Sequence, residues 1–402
     1  MKVLMLLDGP YEGDFRLKKE VDTLMEGGYH VTVVCYRTGK KTLESVDGNL
    51  RLLRTNKIIN HKRAGFIDIL NSMFFINFEI RNRLSDLDEE FDVVHVHDLP
   101  LAYTGLQYAR KHGCPCILDL HENYPEALKI WFTWRKNPFV RLKNQLFFNY
   151  SRWFERERKM VNEFDQIIAV VEEMKDRLID IHRVNESNVA VVSNTEPKDL
   201  FLPIETAKQT KQKFQIVYVG GIGPHRGLQI SIEAMPQIVS NHPNVELVII
   251  GSGNSDTIGH LKDLVKKSGV EAHVRFTGRL PFEEALEYMR GAGMNIIPHL
   301  KNNHTDNTIP HKLFQIMNSE FPLLVSSCNP LKRIVEEHDA GLVFEAGSPS
   351  SFAAQIDYSI HHKEELKAKA KNAHDAVQNK GLNWERDAIR LLEVYDGLLT
   401  KS

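Results

Sequence analysis

The chain has 402 residues, 42% of them hydrophobic, and its 51 basic and 53 acidic side chains leave a formal net charge of −2. A chain of this length is expected to form about two domains with sizeable cores. The near-neutral charge excludes a globally basic nucleic-acid-binding protein. The four cysteines lack zinc-site and redox spacing, which favours a reducing, cytoplasmic environment. No stretch is apolar and long enough to predict a transmembrane helix.

Short runs of valine, isoleucine and leucine alternate with amphipathic helix patterns along the whole chain. Each run predicts a strand of a parallel sheet that helices cover on both faces. The predicted strands are Val3–Leu7, Val31–Cys35, Val93–Val96, Ile117–Leu120, Ile167–Val171 and Ala190–Val192 in the first half, and Ile216–Val219, Glu246–Ile250, Val274–Phe276, Met294–Ile297, Leu323–Ser326 and Leu342–Phe344 in the second. The predicted fold class is therefore α/β, with two doubly wound, Rossmann-like halves.

A polar stretch from residue 194 to 213, which contains Pro197 and Pro203, separates the two halves. We predict an N-terminal domain over residues 1–198 and a C-terminal domain over residues 199–381. Ligands of doubly wound sheets lie beyond the C-terminal ends of the strands. Two such domains that face each other are therefore expected to form one cleft.

A glycine-rich loop follows the first strand of the second half. Gly220, Gly221 and Gly223 let the backbone approach a ligand, and the helix that follows offers a partial positive charge to phosphate. Arg226 adds a full positive charge. The loop lacks the Gly-Lys-Ser/Thr of a P-loop, and residues 8–14 lack the Gly-x-Gly-x-x-Gly dinucleotide fingerprint. By itself the loop is either a phosphate site or only a tight turn.

The loop and seven further segments along the chain decide between these two interpretations. The segments are Phe91–Asp98, Leu118–Glu122, Val191–Asn194, Val219–Gly227, Val248–Gly253, Val274–Gly278, Pro310–Met317 and Ile334–Val343. In the same order, they resemble segments of the glycogen-synthase-like group 1 glycosyltransferases, a family 4-like group with the GT-B fold. Each match is weak, but together they cover nearly the whole chain.

The resemblance implies two Rossmann-like domains that face each other, with the donor site in the second domain and the acceptor side in the first. It also implies that a last helix, at about 382–402, returns to the N-terminal domain. Its apolar pattern places Ile389, Leu392, Tyr395 and Leu399 on one side.

The activity that the resemblance implies is a retaining, metal-independent transfer of the hexosyltransferase type. A sugar would pass from a UDP- or GDP-sugar to a cell-envelope or surface polysaccharide acceptor, including a lipid-linked one. The loop amides, Arg226 and the helix dipole would stabilise the diphosphate leaving group without a metal or other cofactor. The leaving phosphate would take the acceptor proton, so no glycosidase-type carboxylate pair is required.

The resemblance also implies roles for individual residues. The predicted catalytic residues are His121, Arg226 and Gln315. The predicted donor-binding residues are Gly220, Gly221, Gly223, Gly251, Gly278, Arg279, Asn307, Thr308 and Lys312. The predicted acceptor-side residues are Gly13, Asp14 and His97. His121 would contact the donor sugar, with a core histidine as the alternative, and Asp14 is also a natural helix N-cap.

Three positions depart from the family pattern. At two of these positions the family often has a glutamate, and the second glutamate holds the donor ribose. This chain has Asn307 and Gln315 there instead. An amide can bond to ribose hydroxyls but carries no charge. Gly221 stands where many members have a phosphate-binding arginine. These departures leave two alternatives open: a catalytically degenerate protein that binds nucleotide-sugar or acts as a scaffold, and a sugar-nucleotide epimerase.

Two other features carry weaker hypotheses. His95, His97 and Asp98 have the side chains of a metal site, but no third cluster accompanies them, so no metal is predicted. Residues 129–153 contain six Lys/Arg, no Asp/Glu and three tryptophans. Such a composition suits an anionic membrane surface and predicts peripheral attachment to the inner face of the cell membrane. Ordinary helix packing is the alternative, and no nucleic-acid partner is predicted.

Overall fold

The computed structural model describes residues 1–58, 61–200 and 213–399. It divides into two compact units, and most of the stretch predicted to separate the halves, 201–212, lies outside the described residues. The units are Met1–Lys129, Phe139–Ser193 and Asp387–Ser402 for the first, and Ile130–Pro138 and Asn194–Arg386 for the second. Within the described ranges, none of the helices has the length and apolar character that crossing a membrane requires.

The first unit is built on a sheet of eight described strands. They are β1 (Lys2–Leu6), β2 (His30–Arg37), β3 (Glu44–Asp47), β4 (Leu50–Ile58), β5 (Val93–His97), β6 (Cys116–Leu120), β7 (Gln166–Ala169) and β8 (Val189–Val191). Their spatial order is β3-β4-β2-β1-β5-β6-β7-β8. All neighbours are parallel except β3 and β4. The order reverses between β1 and β5, which makes this the topological switch point of the sheet.

The first eight helices follow these strands along the chain. They are α1 (Phe15–Glu26), α2 (His61–Phe74), α3 (Phe78–Leu84), α4 (Leu99–His112), α5 (Tyr124–Trp131), α6 (Pro138–Phe147), α7 (Tyr150–Met160) and α8 (Glu172–His182). Helix α1 begins at its N-cap Asp14, whose carboxylate accepts from the Leu17 N–H at 2.9 Å. Its buried Leu17, Val21 and Leu24 face the sheet core.

The second unit is built on a six-stranded sheet in which every described pair is parallel. Its strands are β9 (Phe214–Val219), β10 (Val245–Ile250), β11 (Val274–Gly278), β12 (Met294–Ile297), β13 (Leu323–Ser326) and β14 (Leu342–Phe344). The spatial order, β11-β10-β9-β12-β13-β14, places the switch point between β9 and β12. Every strand predicted from the sequence overlaps a strand of the structure, and the doubly wound α/β prediction is confirmed.

The remaining helices cover the second sheet or close the chain. They are α9 (Leu228–Asn241), α10 (Ser255–Lys267), α11 (Phe282–Gly291), α12 (His311–Asn318), α13 (Asn329–Glu337), α14 (Pro349–His361), α15 (Lys363–Asn379) and α16 (Trp384–Leu399). From Asp387 onward, α16 is part of the first unit.

The predicted apolar face of α16 is wrong in one respect. The buried residues are Leu391, Val394, Tyr395 and Leu398, whereas Ile389 is 48% exposed. The buried positions follow the i, i+3, i+4, i+7 spacing of a single helix face. Of the predicted face, Tyr395 is buried, Leu392 is half-buried and Ile389 is exposed, whereas the side chain of Leu399 lies outside the described residues.

Candidate active site

The glycine-rich loop lies at the switch point of the second sheet. It begins after β9, and His299 follows the end of β12, so the loop and His299 come from the two strands between which the order reverses. Arg226 Nη1 donates to His299 Nε2 at 3.1 Å, and this hydrogen bond joins the loop to His299. Doubly wound sheets bind their ligands at this place.

Two glycines of this region are required by close backbone contacts. A Cβ atom on Gly251 would lie 1.8 Å from the carbonyl oxygen of Gly220, and one on Gly227 would lie 1.6 Å from that of Pro298. Both also have positive φ angles, +149° and +71°. The Gly251 N–H donates to the Gly278 carbonyl at 2.9 Å. Of the predicted donor-binding glycines, Gly220 and Gly251 directly follow β9 and β10, and Gly278 is the last residue of the neighbouring strand β11.

Lys312 brings a second cation to the loop. Its Nζ lies 3.8 Å from the centre of the Tyr218 ring and is buried, with no hydrogen-bond partner in the described part of the chain. The Tyr218 hydroxyl donates to the Gly221 carbonyl at 2.6 Å. Burial, with the charge of Arg226 beside it, holds the pKa of Lys312 well below its usual value. A buried amine without a partner and a neighbouring guanidinium favour an anionic ligand.

Two histidines that the sequence analysis did not select support the loop. Burial and the charge of Arg226 lower the pKa of His225 to about 2 and hold that of His299 well below its usual range. Both rings are therefore neutral, and His299 can accept from Arg226. The His225 carbonyl accepts from the Leu300 N–H at 3.0 Å. The sequence signal for His299 is its position just after a strand at the switch point.

Gln315 lies one helical turn after Lys312, on α12, and both line one small cavity with Val217 and Val219. Its Nε2 donates to Glu196 Oε1 at 2.8 Å. Glu196 is only 4% exposed and was not predicted, because it lies in the polar stretch between the halves.

The other predicted donor-binding residues have local roles in the structure. Asn307 Nδ2 donates to the Asn303 carbonyl at 2.6 Å, and Thr308 Oγ1 donates to the His304 carbonyl at 3.1 Å. Arg279 is exposed just beyond β11. The structure thus gathers Arg226, Lys312 and the loop glycines, whereas Asn307 and Thr308 stabilise the turn before α12.

The first unit holds a buried network of charges at the corresponding edge of its own sheet. Arg16 Nη2 lies 2.9 Å from Asp119 Oδ2, and Arg16 Nε lies 2.9 Å from Glu20 Oε1. His121 Nε2 lies 3.2 Å from Asp119 Oδ2, and its Nδ1 lies 3.3 Å from Asp98 Oδ2. Both ring nitrogens of His121 therefore already have carboxylate neighbours within this unit.

The charge state of each group follows from these contacts. Burial opposes charge on His121, yet Asp98 and Asp119 raise its pKa to about 10. Burial also opposes charge on Asp119, yet Arg16 and His121 hold its pKa well below the usual value. Burial raises the pKa of Glu20 to about 8, against the pull of Arg16. At neutral pH the network thus contains a protonated His121, an ionised Asp119 and a mostly protonated Glu20.

The same place contains the side chains of a metal site. Glu20, His95, His97 and Asp119 are buried, and their ligand atoms lie within 4.8 Å of one another. Two histidines and two carboxylates are a typical set for a divalent transition metal. However, Arg16 is salt-bridged to both carboxylates. Because its fixed positive charge would repel a cation, the cluster fits a charge network better than a metal centre.

The histidines connect this network to the last helix. His97 Nδ1 and His121 Nε2 are 3.2 Å apart, and the His95 ring stacks on that of His97 at 4.4 Å. His95 Nδ1 lies 2.7 Å from the Tyr395 hydroxyl of α16. His97, predicted on the acceptor side, is only 1% exposed. Gly13 ends a short 3₁₀ turn before α1.

Two doubly wound units, one with a cationic glycine loop at its switch point, define a glycosyltransferase of the GT-B class, and solved structures agree on this fold. Sucrose-phosphate synthase from Thermosynechococcus elongatus matches with a TM-score of 0.80 and 15% identity, covering 100% of both chains. Anabaena HepE in complex with UDP-glucose matches with a TM-score of 0.73 and 14% identity, covering 99% of this chain and 100% of HepE. At these identities the likeness shows the fold.

Sequence comparisons define the family. Residues 19–195 match the model for Glycosyltransferase Family 4, and residues 204–376 match the model for Glycosyl transferases group 1. An uncharacterised glycosyltransferase of Methanocaldococcus jannaschii is 24% identical over 389 residues, which cover 92% of this chain and 90% of that protein. Glycogen synthase of Mycobacterium tuberculosis is 21% identical over 306 residues, covering 76% and 68%. The chain therefore contains a Glycosyltransferase Family 4 domain followed by a Glycosyl transferases group 1 domain, and it is a transferase enzyme.

Proposed function

We propose that the chain is a retaining, metal-independent glycosyltransferase that uses a nucleotide-diphosphate sugar. The observation that supports this proposal is that Arg226 and the buried amine of Lys312 both lie at the glycine loop. The Arg226 guanidinium and an amine that gains its proton beside a bound diphosphate, together with backbone N–H groups of the loop, can stabilise the negative charge that grows on a diphosphate leaving group. No metal is then needed for that charge.

Each residue of this site has a defined part in the proposed transfer. The bond between the anomeric carbon and the diphosphate breaks, and the acceptor hydroxyl oxygen bonds to that carbon on the same face. The acceptor proton passes to the leaving phosphate oxygen. Arg226, held by neutral His299, and Lys312 balance the charge of the diphosphate. A bound diphosphate would also raise the pKa of Lys312, because a nearby opposite charge favours the ammonium form.

The donor in this proposal is a UDP- or GDP-sugar. The structures of Anabaena HepE contain UDP, UDP-glucose, or UDP with glucose. This similarity in fold supports a uridine donor first and a guanosine donor second.

Thermal-shift screening with UDP, GDP, ADP and their sugars tests the donor site. At 100 times its Kd, a nucleotide is expected to stabilise the chain by about 2.7 kcal/mol, which is visible as a higher unfolding midpoint. Arg226→Ala should weaken binding at least about tenfold, because it removes a charge-assisted contact to phosphate. Lys267→Ala, which removes a positive charge from an exposed position on α10, serves as the control.

Four results would overturn this assignment or replace it. No stabilisation by any nucleotide, or equal binding by Arg226→Ala, would contradict the donor site. Binding without transfer from a radiolabelled donor to any acceptor of a broad panel would favour the degenerate alternative. A new sugar isomer in NMR spectra of the donor with enzyme alone would favour an epimerase.

We also propose an acceptor at or near a membrane. On α6, Phe139, Leu142 and Leu146 are 82%, 55% and 55% exposed and form one apolar stripe beside exposed Arg141. Such a basic, apolar helix face suits an anionic lipid surface. The Ser72 hydroxyl, near the end of α2, donates to the Phe147 carbonyl at 2.5 Å. This hydrogen bond holds α2 beside α6.

The tryptophans that drew attention to residues 129–153 do not form this surface. Trp153 is 3% exposed. The rings of Trp131 and Trp134 pack in the second unit, 6.3 Å from the His304 ring and 4.3 Å from the His260 ring. The proposal therefore depends on α6 and not on the tryptophans.

Flotation with vesicles of phosphatidylglycerol and phosphatidylcholine tests the surface. Changing Phe139 and Leu142 together to serine is expected to lower the bound fraction at least about threefold, because two exposed apolar side chains lose their contact with lipid. Ile181→Ser is the matched control, since Ile181 is an apolar residue of α8 that is 51% exposed. Equal flotation of all three proteins would contradict the membrane proposal.

A further inference from the structure

The buried side chain of Glu196 contacts Gln315, the glutamine that takes the place of a glutamate in the family pattern. Gln315 Nε2 donates to Glu196 Oε1 at 2.8 Å, and Glu196 is 4% exposed. His311 Nδ1 lies 3.5 Å from the same oxygen. The carboxyl group that Gln315 lacks is therefore present one hydrogen bond away, on a different segment of the chain.

This contact determines which way the Gln315 amide points. An ionised carboxylate only accepts hydrogen bonds, and the amide NH2 is the one donor group of a glutamine side chain. The nitrogen must therefore face Glu196, and the carbonyl oxygen Oε1 must point away from it. Without Glu196 the amide could rotate by half a turn and exchange its two ends. Glu196 thus leaves an acceptor, and not a donor, on the far side of Gln315.

The backbone around Glu196 is held to both ends of α12. Asn194 Nδ2 donates to the Ile309 carbonyl at 2.9 Å, just before the helix. At the last residue of the helix, Asn318 Nδ2 donates to the Pro197 carbonyl at 3.2 Å. The Glu196 carbonyl also accepts from the Trp384 N–H at 3.0 Å. The distance between Glu196 and Gln315 is therefore fixed by contacts that do not involve either side chain.

We propose that Glu196 is a positioning residue that orients the Gln315 amide to accept a hydrogen bond from a ribose hydroxyl of the donor nucleotide. This inference rests on the proposed function, because Gln315 shares its cavity with Lys312, which contacts phosphate in that proposal. In this proposal the two residues together replace a single glutamate. Gln315 contacts the ribose hydroxyl, and the charge of Glu196 polarises the Gln315 amide.

The test compares UDP with 2′-deoxy-UDP by calorimetry. Glu196→Gln is expected to weaken UDP binding by about threefold to tenfold, the effect of one hydrogen bond, and to leave 2′-deoxy-UDP binding unchanged. A residue that merely stabilised the fold would affect both nucleotides equally. Glu385→Gln is the matched control, since Glu385 accepts from the Lys198 N–H of the same segment but does not bond to Gln315.

A charge exchange keeps the test decisive if the single variant is unstable. Gln315→Glu alone places two carboxylates side by side and should weaken UDP binding. Glu196→Gln combined with Gln315→Glu restores one amide and one carboxylate, and should recover UDP binding to within about threefold of wild type.

The outcomes separate the two proposals. If the wild-type chain binds neither UDP nor GDP, the proposed function and this inference fail together. If it binds UDP but Glu196→Gln changes both nucleotides equally, or neither, the inference fails and the proposed function stands. Failure of the exchanged pair to recover binding, in a protein that still folds, would also refute the inference.

Discussion

Gly227→Ala is expected to lower nucleotide affinity more than about 100-fold and to destabilise the second unit. The new Cβ atom would lie 1.6 Å from the Pro298 carbonyl oxygen, and the φ angle of +71° is unfavourable for alanine. The contact is with backbone, so no side chain can rotate to relieve it. The loop would have to move away from β12, which separates Arg226 from His299 and displaces the main cation of the site.

Gly221→Ala is the control within the same loop. A Cβ atom there would have no neighbour within 4 Å, and the φ angle of Gly221 is not positive. Because the substitution keeps every backbone N–H group, nucleotide affinity should stay within about threefold of wild type. Isothermal calorimetry with UDP and the thermal unfolding midpoint measure both variants. A Gly227→Ala protein that binds as well as Gly221→Ala would show that the loop does not depend on its contact with Pro298.

Arg16→Ala is expected to lower the free energy of unfolding by about 3–5 kcal/mol, because it removes the guanidinium that pairs with buried Asp119 and leaves only His121 beside that carboxylate. Arg16 is 3% exposed, and both Glu20 and Asp119 are 0% exposed. Arg16 Nη1 also donates to the Val192 carbonyl at 3.0 Å, so the substitution removes a contact with the end of the first unit. For a unit of about this size the loss corresponds to a fall of roughly 10 °C in the unfolding midpoint.

Arg158→Ala is the control for this prediction. Arg158 pairs with Glu155 on the surface of α7, where the two side chains are 54% and 50% exposed. Solvent screens such a pair, so the unfolding midpoint should stay unchanged. Scanning calorimetry of the wild type and both variants at pH 7 gives the comparison. If both arginine variants unfold at the same temperature, the buried network does not stabilise the first unit.

Some features of the structure were missed or left open by the sequence analysis. The strands β3 and β4 were missed because their sequences contain many charged and polar residues and lack the continuous apolar run of a buried strand. The composition of residues 129–153 predicts a membrane surface, with ordinary helix packing as the alternative, and the tryptophans of Ile130–Pro138 follow the alternative by packing beside His260 and His304. These partners are distant in sequence, so composition does not reveal them.

The residues of the candidate active site divide into those that local sequence reveals and those that only tertiary contacts reveal. Gly220, Gly251, Gly278 and Lys312 could be selected because each follows a strand or lies in a segment that resembles the family. Glu196 could not, because its importance depends on Gln315, which is 119 residues away along the chain. His299 has only its position after a strand as a signal, and its contact with Arg226, 73 residues away, was not predictable. A polar residue in a connecting segment has no periodic pattern that reveals its partner.

By itself, the sequence determined the α/β class, the order of the strands along the chain and the position of the glycine loop. These features follow from local apolar patterning and from glycines near strand ends, which neighbouring residues are sufficient to specify. Only the tertiary structure decided that neutral His299 accepts from Arg226, that Lys312 has a buried amine and that Gln315 donates to buried Glu196. Burial and hydrogen bonding between distant residues set these properties, because they depend on which groups the fold brings together and removes from water.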